Sequence, residues 1–192
     1  MKSFNPDVIG FTSQCTDIDN IMILASEVKA LKKDIIVMVG GVQATISPEA
    51  YFDKNVDYIF KSTTRDNVKA LMEQIEKGTN EEIMGIYSRK LQYQVTIPSC
   101  QNEYVKADRE CTKRYRKHYK YVGYQPCAIL QTSFGCRNHC KFCVRWKLEG
   151  PKVVELPIED VVDEIESLDE ESHYQSFEKQ EAERICMVSI MQ

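Results

Sequence analysis

The chain has 192 residues, of which 43% are hydrophobic and 28% charged, and its formal net charge is -4. That composition belongs to a globular fold, and the acidic balance excludes a general electrostatic footprint for nucleic acid. No apolar run approaches the roughly 18 residues of a membrane span, and Met1 to Asp7 carry no apolar signal segment, so the sequence predicts a cytoplasmic protein with no membrane partner.

The first half alternates short apolar runs with helical patterns. Residues 8–11 read as a buried strand. Residues 17–31 follow as a helix, with Ile18, Ile21, Met22, Ala25 and Val28 on one face and Thr16 or Asp17 as its cap. Residues 35–39 form a continuous apolar run, the pattern of a strand covered on both faces. The run ends in Gly40 and Gly41, where the chain turns sharply and backbone can approach a ligand.

A short helix opens at Pro48, a third strand spans 56–60, and a helix over 66–77 turns Val68, Leu71, Met72 and Ile75 inward before stopping at Gly78. This alternation predicts a parallel sheet in a Rossmann-like three-layer unit. With three such strands the sheet would keep an open edge, so the unit is expected to be incomplete at its N-terminus. One or two extended strands are expected within 83–97.

Residues 98–126 are polar, basic and rich in tyrosine, and read as a linker. Residues 128–133 read as a strand running into Gly135 and Cys136. Residues 152–156 are extended, and Pro157 opens a helix with Ile158, Val161, Val162, Ile165 and Leu168 on one stripe. After about residue 169 the pattern fades into a charged tail over 170–192. The expected organisation is a Rossmann-like domain over 1–97, a linker over 98–126, a second domain starting within 127–169, and the tail.

Eight cysteines are many for a reducing compartment. Cys15, Cys100, Cys111, Cys127 and Cys186 are scattered, and read as small buried or idle thiols. Cys136, Cys140 and Cys143 are clustered, which points to metal ligation. A cubane iron-sulfur cluster takes one thiolate per iron. Three thiolates leave one iron open to an exchangeable ligand, and Phe142 would shield the group from water.

Zinc is the competing occupant. It would need Cys136, His139, Cys140 and Cys143 in one tetrahedral site, yet adjacent His139 and Cys140 chelate poorly and no second paired-cysteine knuckle exists. His139 otherwise reads as an exposed loop residue. The stretch from Lys113 to Tyr121 interleaves basic and aromatic residues as single-strand binders do. The net charge weighs against a nucleic-acid partner, and the same stretch suits a linker whose tyrosines pack on a neighbouring domain.

The arrangement Cys136-x-x-x-Cys140-x-Phe142-Cys143 resembles the signature of the radical S-adenosylmethionine superfamily. Residues 128–136 resemble the first strand of its barrel, and residues 157–168 the helix after it. Residues 6–13, 39–41 and 56–59 resemble the third, fourth and fifth strands of the cobalamin-binding domain that precedes this barrel in one subgroup. Asp108, Arg109 and Glu110 resemble the joining segment.

The resemblance implies the start of a partial TIM barrel behind a partial cobalamin-binding fold. It implies a [4Fe-4S] cluster on Cys136, Cys140 and Cys143, S-adenosylmethionine on the open iron, and an external electron donor of the flavodoxin or ferredoxin type. Reductive cleavage of S-adenosylmethionine would release a 5′-deoxyadenosyl radical. In the cobalamin subgroup the usual outcome is methyl transfer to an unactivated carbon. Thr12, Ser13, Gly40 and Gly41 are then the candidates for the cobalamin face.

The chain departs from the family pattern in three places. The Asp-x-His-x-x-Gly loop that ligates cobalt is absent, and none of His118, His139 and His173 stands in such a motif. Ser62, Thr63, Thr64 and Arg65 replace a glycine- and glutamate-rich turn. Only one strand-helix pair of the barrel has room. The chain is therefore expected to be a piece of a larger protein cut at both ends, with a second chain as one source of the rest of the barrel. A non-catalytic remnant or metal-binding module, and a small zinc protein, are the alternatives.

Overall fold

In the computed structural model, which describes residues 5–93, 108–120, 128 and 130–171, the three apolar runs of the first half become strands of one sheet. β1 (Val8–Thr12), β2 (Ile36–Gly40) and β3 (Tyr58–Phe60) pair in parallel. β4 (Ile86–Ser88) adds antiparallel to β3, giving the order β1-β2-β3-β4. The mostly parallel α/β sheet expected from the sequence is present, and its last edge is antiparallel. The extended stretch expected over 94–97 lies outside the described residues.

Side-chain alternation along the strands builds two cores. Val37, Val39 and Ile59 point to one face, where they bury with Ile21, Ala25 and Val28 of α1 (Ile18–Leu31) and with Tyr51. Tyr58, Phe60, Ile36 and Met38 point to the other, where Leu71, Val68, Met72 and Ile75 of α3 (Arg65–Lys77) cover them. Each fully buried aliphatic contributes about 1.5–3 kcal/mol. The result is the helix-sheet-helix layering that the two helical periodicities require.

The ends of α3 are set locally. Thr64 Oγ1 accepts the Asn67 amide at 3.2 Å, and Asn67 Oδ1 accepts the Thr64 amide at 3.0 Å, a reciprocal cap. Gly78 ends the helix in the left-handed region at φ 67°.

A second helix, α2 (Val42–Ile46), follows Gly41 directly, and the short helix expected from Pro48 is a 3-10 turn over Pro48–Tyr51.

At the amino ends of the strands an ion cluster ties the layers together. Lys29 Nζ donates to Asp57 Oδ2 at 2.6 Å and to the Ile35 carbonyl at 2.6 Å. Arg89 Nη2 donates to Asp57 Oδ1 at 2.6 Å, and the Val37 amide to Oδ2 at 2.9 Å. Burial pushes the Asp57 carboxyl up, but the bonds from Lys29, Val37 and Arg89 outweigh it and hold the pKa below the ordinary value.

The chain divides into two compact units, Met1–Gln101 and Asn102–Gln192. The second holds a 3-10 helix (Glu110–His118), β5 (Ser133–Phe134), α4 (Arg145–Glu149), β6 (Val154–Glu155) and α5 (Ile158–Glu171). β5 and β6 pair antiparallel, and the Leu156 amide extends the ladder to the Thr132 carbonyl at 2.9 Å. The strand expected over 128–133 is thus shorter and shifted, because a strand extends only as far as a neighbour offers bonding groups and β6 offers two residues.

The helix expected from Pro157 forms, but its expected inward stripe is partly outward. Ile158 is 76% exposed, and Val162 and Ile165 are also exposed. Glu164 is instead only 4% exposed, and its Oε1 accepts from Arg109 Nε at 2.9 Å and from Arg109 Nη2. Within the expected linker Glu110–His118 form a 3-10 helix, and Tyr115 and Tyr119 are exposed. Residues 172–192, including Cys186, and the positions of Cys100 and Cys127 lie outside the described residues. Among the described residues no helix is long and apolar enough to cross a membrane.

Candidate functional site

Two places in the fold gather the residues singled out by the sequence. The first is the carboxyl end of the parallel strands, where α/β sheets hold ligands. Thr12 and Gly40 are ladder partners there, closing β1 against β2. Ser13 is fully buried. Its amide donates to the Gly40 carbonyl at 2.8 Å and its hydroxyl donates to the same oxygen at 2.7 Å. In return the Ser13 carbonyl accepts the Gln43 amide at 3.2 Å, and Ser13 Oγ accepts the Ala44 amide at 3.2 Å. Ser13 therefore supplies acceptors for the first turn of α2 from a distant part of the chain.

Gly41 explains why this joint needs glycine. Its φ is 93°, and a Cβ there would stand 2.7 Å from the Ser13 nitrogen and 2.8 Å from the Ser13 oxygen. Backbone does approach Gly41 closely, but the approaching backbone is that of Ser13. A Cβ at Gly40 would meet only the Phe60 Cβ at 3.6 Å, an ordinary contact. Thr12, Ser13, Gly40 and Gly41 thus form one interlocked rim, with the Ser13 hydroxyl committed to the rim itself. Lys61, just after β3, donates to the Thr45 carbonyl at 2.5 Å and brings a cation to the same end of the sheet.

The second place is the loop between β5 and β6. Cys136, Cys140 and Cys143 all lie on it as free thiols; Cys140 is exposed and the other two are partly exposed. The Cys143 amide donates to the Cys140 carbonyl at 3.1 Å, so the last two cysteines bracket a tight turn. That turn throws Phe142 outward, leaving it 92% exposed, so the expected shielding ring covers nothing among the described residues. His139 is exposed and tilts against Trp146 with ring centroids 4.7 Å apart. Among the described residues no three His, Cys, Asp or Glu side chains converge on a single-ion site. The donor set is soft and accessible, as a thiolate-ligated cluster requires.

The neck of this loop is built from residues that carry little local signal. Gly135 is buried at φ 80°, and a Cβ there would lie 2.0 Å from the Lys152 carbonyl oxygen. The Gly135 amide donates to Glu149 Oε2 at 2.8 Å, and Arg145 Nε donates to the same oxygen at 2.9 Å. The Cys136 amide donates to the Gly150 carbonyl at 3.1 Å. The spacing of Arg145 and Glu149 by four on a helix, followed by Gly150 and Pro151, was the available signal.

Comparison with known proteins gives this geometry its context. Residues 1–82 match the family model described as the B12 binding domain. Over 94% of its length the chain is 26% identical to cytidylyl-2-hydroxyethylphosphonate methyltransferase of Streptomyces wedmorensis, 40% of which it covers. The fold is shared with the radical S-adenosylmethionine methyltransferase TsrM of Kitasatospora setae, at a TM-score of 0.56 and 18% identity over 87% of this chain and 35% of that one. It is also shared with OxsB, a cobalamin-dependent S-adenosylmethionine radical enzyme, at a TM-score of 0.63 and 18% identity over 86% of this chain and 24% of that one. The chain spans less than half the length of each of these proteins. Residues 1–82 thus match a B12 binding domain, and most of the chain's length is similar to a methyltransferase and shares its fold with cobalamin-dependent radical S-adenosylmethionine enzymes.

Proposed function

We propose that this chain carries the cluster-binding and corrinoid-binding segments of a radical S-adenosylmethionine methyltransferase. The observation that carries the proposal is the placement of Cys136, Cys140 and Cys143, as free and accessible thiols, on one loop held between β5 and β6. These three would ligate three irons of a [4Fe-4S] cluster and leave the fourth for S-adenosylmethionine. When bound, that pair supplies the chemistry of one-electron cleavage of the sulfonium to methionine and a 5′-deoxyadenosyl radical, the electron coming from a flavodoxin or ferredoxin type donor.

The chain's own share is placement and exclusion of water. The neck of the loop fixes the backbone on either side of the thiols. At the other site Thr12, Gly40 and Gly41 present mostly backbone and small side chains, so a flat macrocycle can approach the sheet end. Ser13 holds that rim together from beneath.

A second reading has its own support. Both hydrophobic core clusters of described residues lie in the first unit. This favours a corrinoid-binding module that folds without turning over.

Anaerobic reconstitution with iron and sulfide, followed by visible and electron paramagnetic spectra, decides between the readings. Addition of dithionite and S-adenosylmethionine should then yield 5′-deoxyadenosine. A cluster without deoxyadenosine supports the binding module, and stoichiometric zinc without a cluster overturns the cluster reading in favour of a small zinc protein.

A further inference from the structure

We infer that Glu149 is a positioning residue for the first cysteine of the cluster loop, an inference that rests on the cluster reading above. Cys136 enters the loop straight from β5, and Cys143 leaves it two residues before α4. The turn between Cys140 and Cys143 fixes the second and third thiols locally, and Cys136 is tied from outside the loop. Glu149, at the last position of α4, makes that connection. One of its carboxylate oxygens accepts the amide of Gly135, the residue before Cys136, at 2.8 Å. The same oxygen accepts Arg145 Nε at 2.9 Å, at the first position of α4.

The brace is stiff for three reasons. Glu149 and Arg145 are both about three-quarters buried, at 27% and 22% side-chain exposure, so water competes weakly for their bond. The next residue, Gly150, accepts the Cys136 amide at 3.1 Å, so the amides of Gly135 and Cys136 are both held by the end of α4. Gly135 packs its backbone against the Lys152 carbonyl so closely that no side chain would fit there. The first ligand is thereby registered against the helix that the third ligand precedes. A cubane takes one thiolate per iron and tolerates little change in their spacing, so the register set by Glu149 governs whether all three thiols engage one cluster.

The test compares the full-length wild type with E149A and E149Q. Glutamine keeps an oxygen able to accept both bonds, whereas alanine removes them. In the metal-free chain, amide exchange at Gly135 should quicken roughly tenfold or more in E149A and return toward wild type in E149Q. After anaerobic reconstitution, E149A should hold less iron and sulfide per chain and show an altered electron paramagnetic signal, and E149Q should restore both.

Unchanged exchange in E149A overturns the brace. Faster exchange with wild-type iron content and signal overturns the positioning role. Failure of the wild type itself to take up a cluster overturns the cluster reading and with it the role of Glu149 toward a ligand, while the exchange measurement still reports whether the brace exists.

Discussion

The Ala44 amide donates to the hydroxyl oxygen of Ser13 at 3.2 Å, so a residue at the end of one strand starts the helix that follows the next. Gly41 lies between them and makes the contact sterically possible. This joint is the rim proposed above to meet a corrinoid, and substitution can separate its stability from that proposed binding role.

Ser13→Ala should lower the stability of the first unit by about 1–2 kcal/mol, the usual cost of losing a helix cap with its buried partners. Urea unfolding followed by circular dichroism measures this. Because the hydroxyl is spent within the rim, affinity for hydroxocobalamin should change far less than stability does. A large loss of affinity in a folded S13A chain would mean that the hydroxyl reaches the ligand.

Gly41→Ala should be worse than Gly40→Ala. The positive φ alone costs about 1–3 kcal/mol for a residue with a side chain, and the new Cβ would also press on Ser13 backbone at 2.7 Å. Gly40→Ala meets only ordinary contact and should stay within about 1 kcal/mol of wild type. Parallel thermal denaturation of the two variants compares them directly.

Asp57 sets an acid limit on the first unit. Its folded pKa is lowered, so its contribution is fully present above the unfolded value of about 3.9 and is lost as pH falls through the folded value. Asp57→Asn should cost about 2–4 kcal/mol at neutral pH, because Lys29 is left half-paired in a largely buried place while Arg89 is partly screened. The gap between wild type and D57N should narrow as pH drops below about 4, which denaturation curves taken across pH 3–7 would show.

Serine substitution of Cys136, Cys140 or Cys143 should each lower the iron bound after reconstitution. Cys15→Ser and Cys111→Ser serve as controls, since both thiols are exposed and neither lies on the loop. Equal losses from the controls would point to adventitious iron on accessible thiols.

The layers of the first unit were legible because their signals are local. The apolar stripe of α1, the stripe and caps of α3, and the unbroken run of β2 each sit within one short window. α2 was not legible, since the acceptors that start it come from Ser13, about thirty residues earlier. The inversion of α5 escaped for a similar reason. Glu164 reads as a surface residue until Arg109, 55 positions away, is brought against it. The cysteine loop itself was plain from spacing, whereas its neck depends on Glu149 folding back onto a glycine amide fourteen residues earlier.

The cluster of Lys29, Asp57 and Arg89 has a consequence for how the first unit can move. It bolts α1, β2, β3 and the segment after β4 together at the amino ends of the strands. The opposite end is joined by neutral bonds through Ser13 and by the bond from Lys61 to the Thr45 carbonyl. A sheet clamped at one end behaves as a lever with a fixed root. On the corrinoid reading proposed above, adjustment to a large planar ligand would fall on the rim rather than on the clamped end.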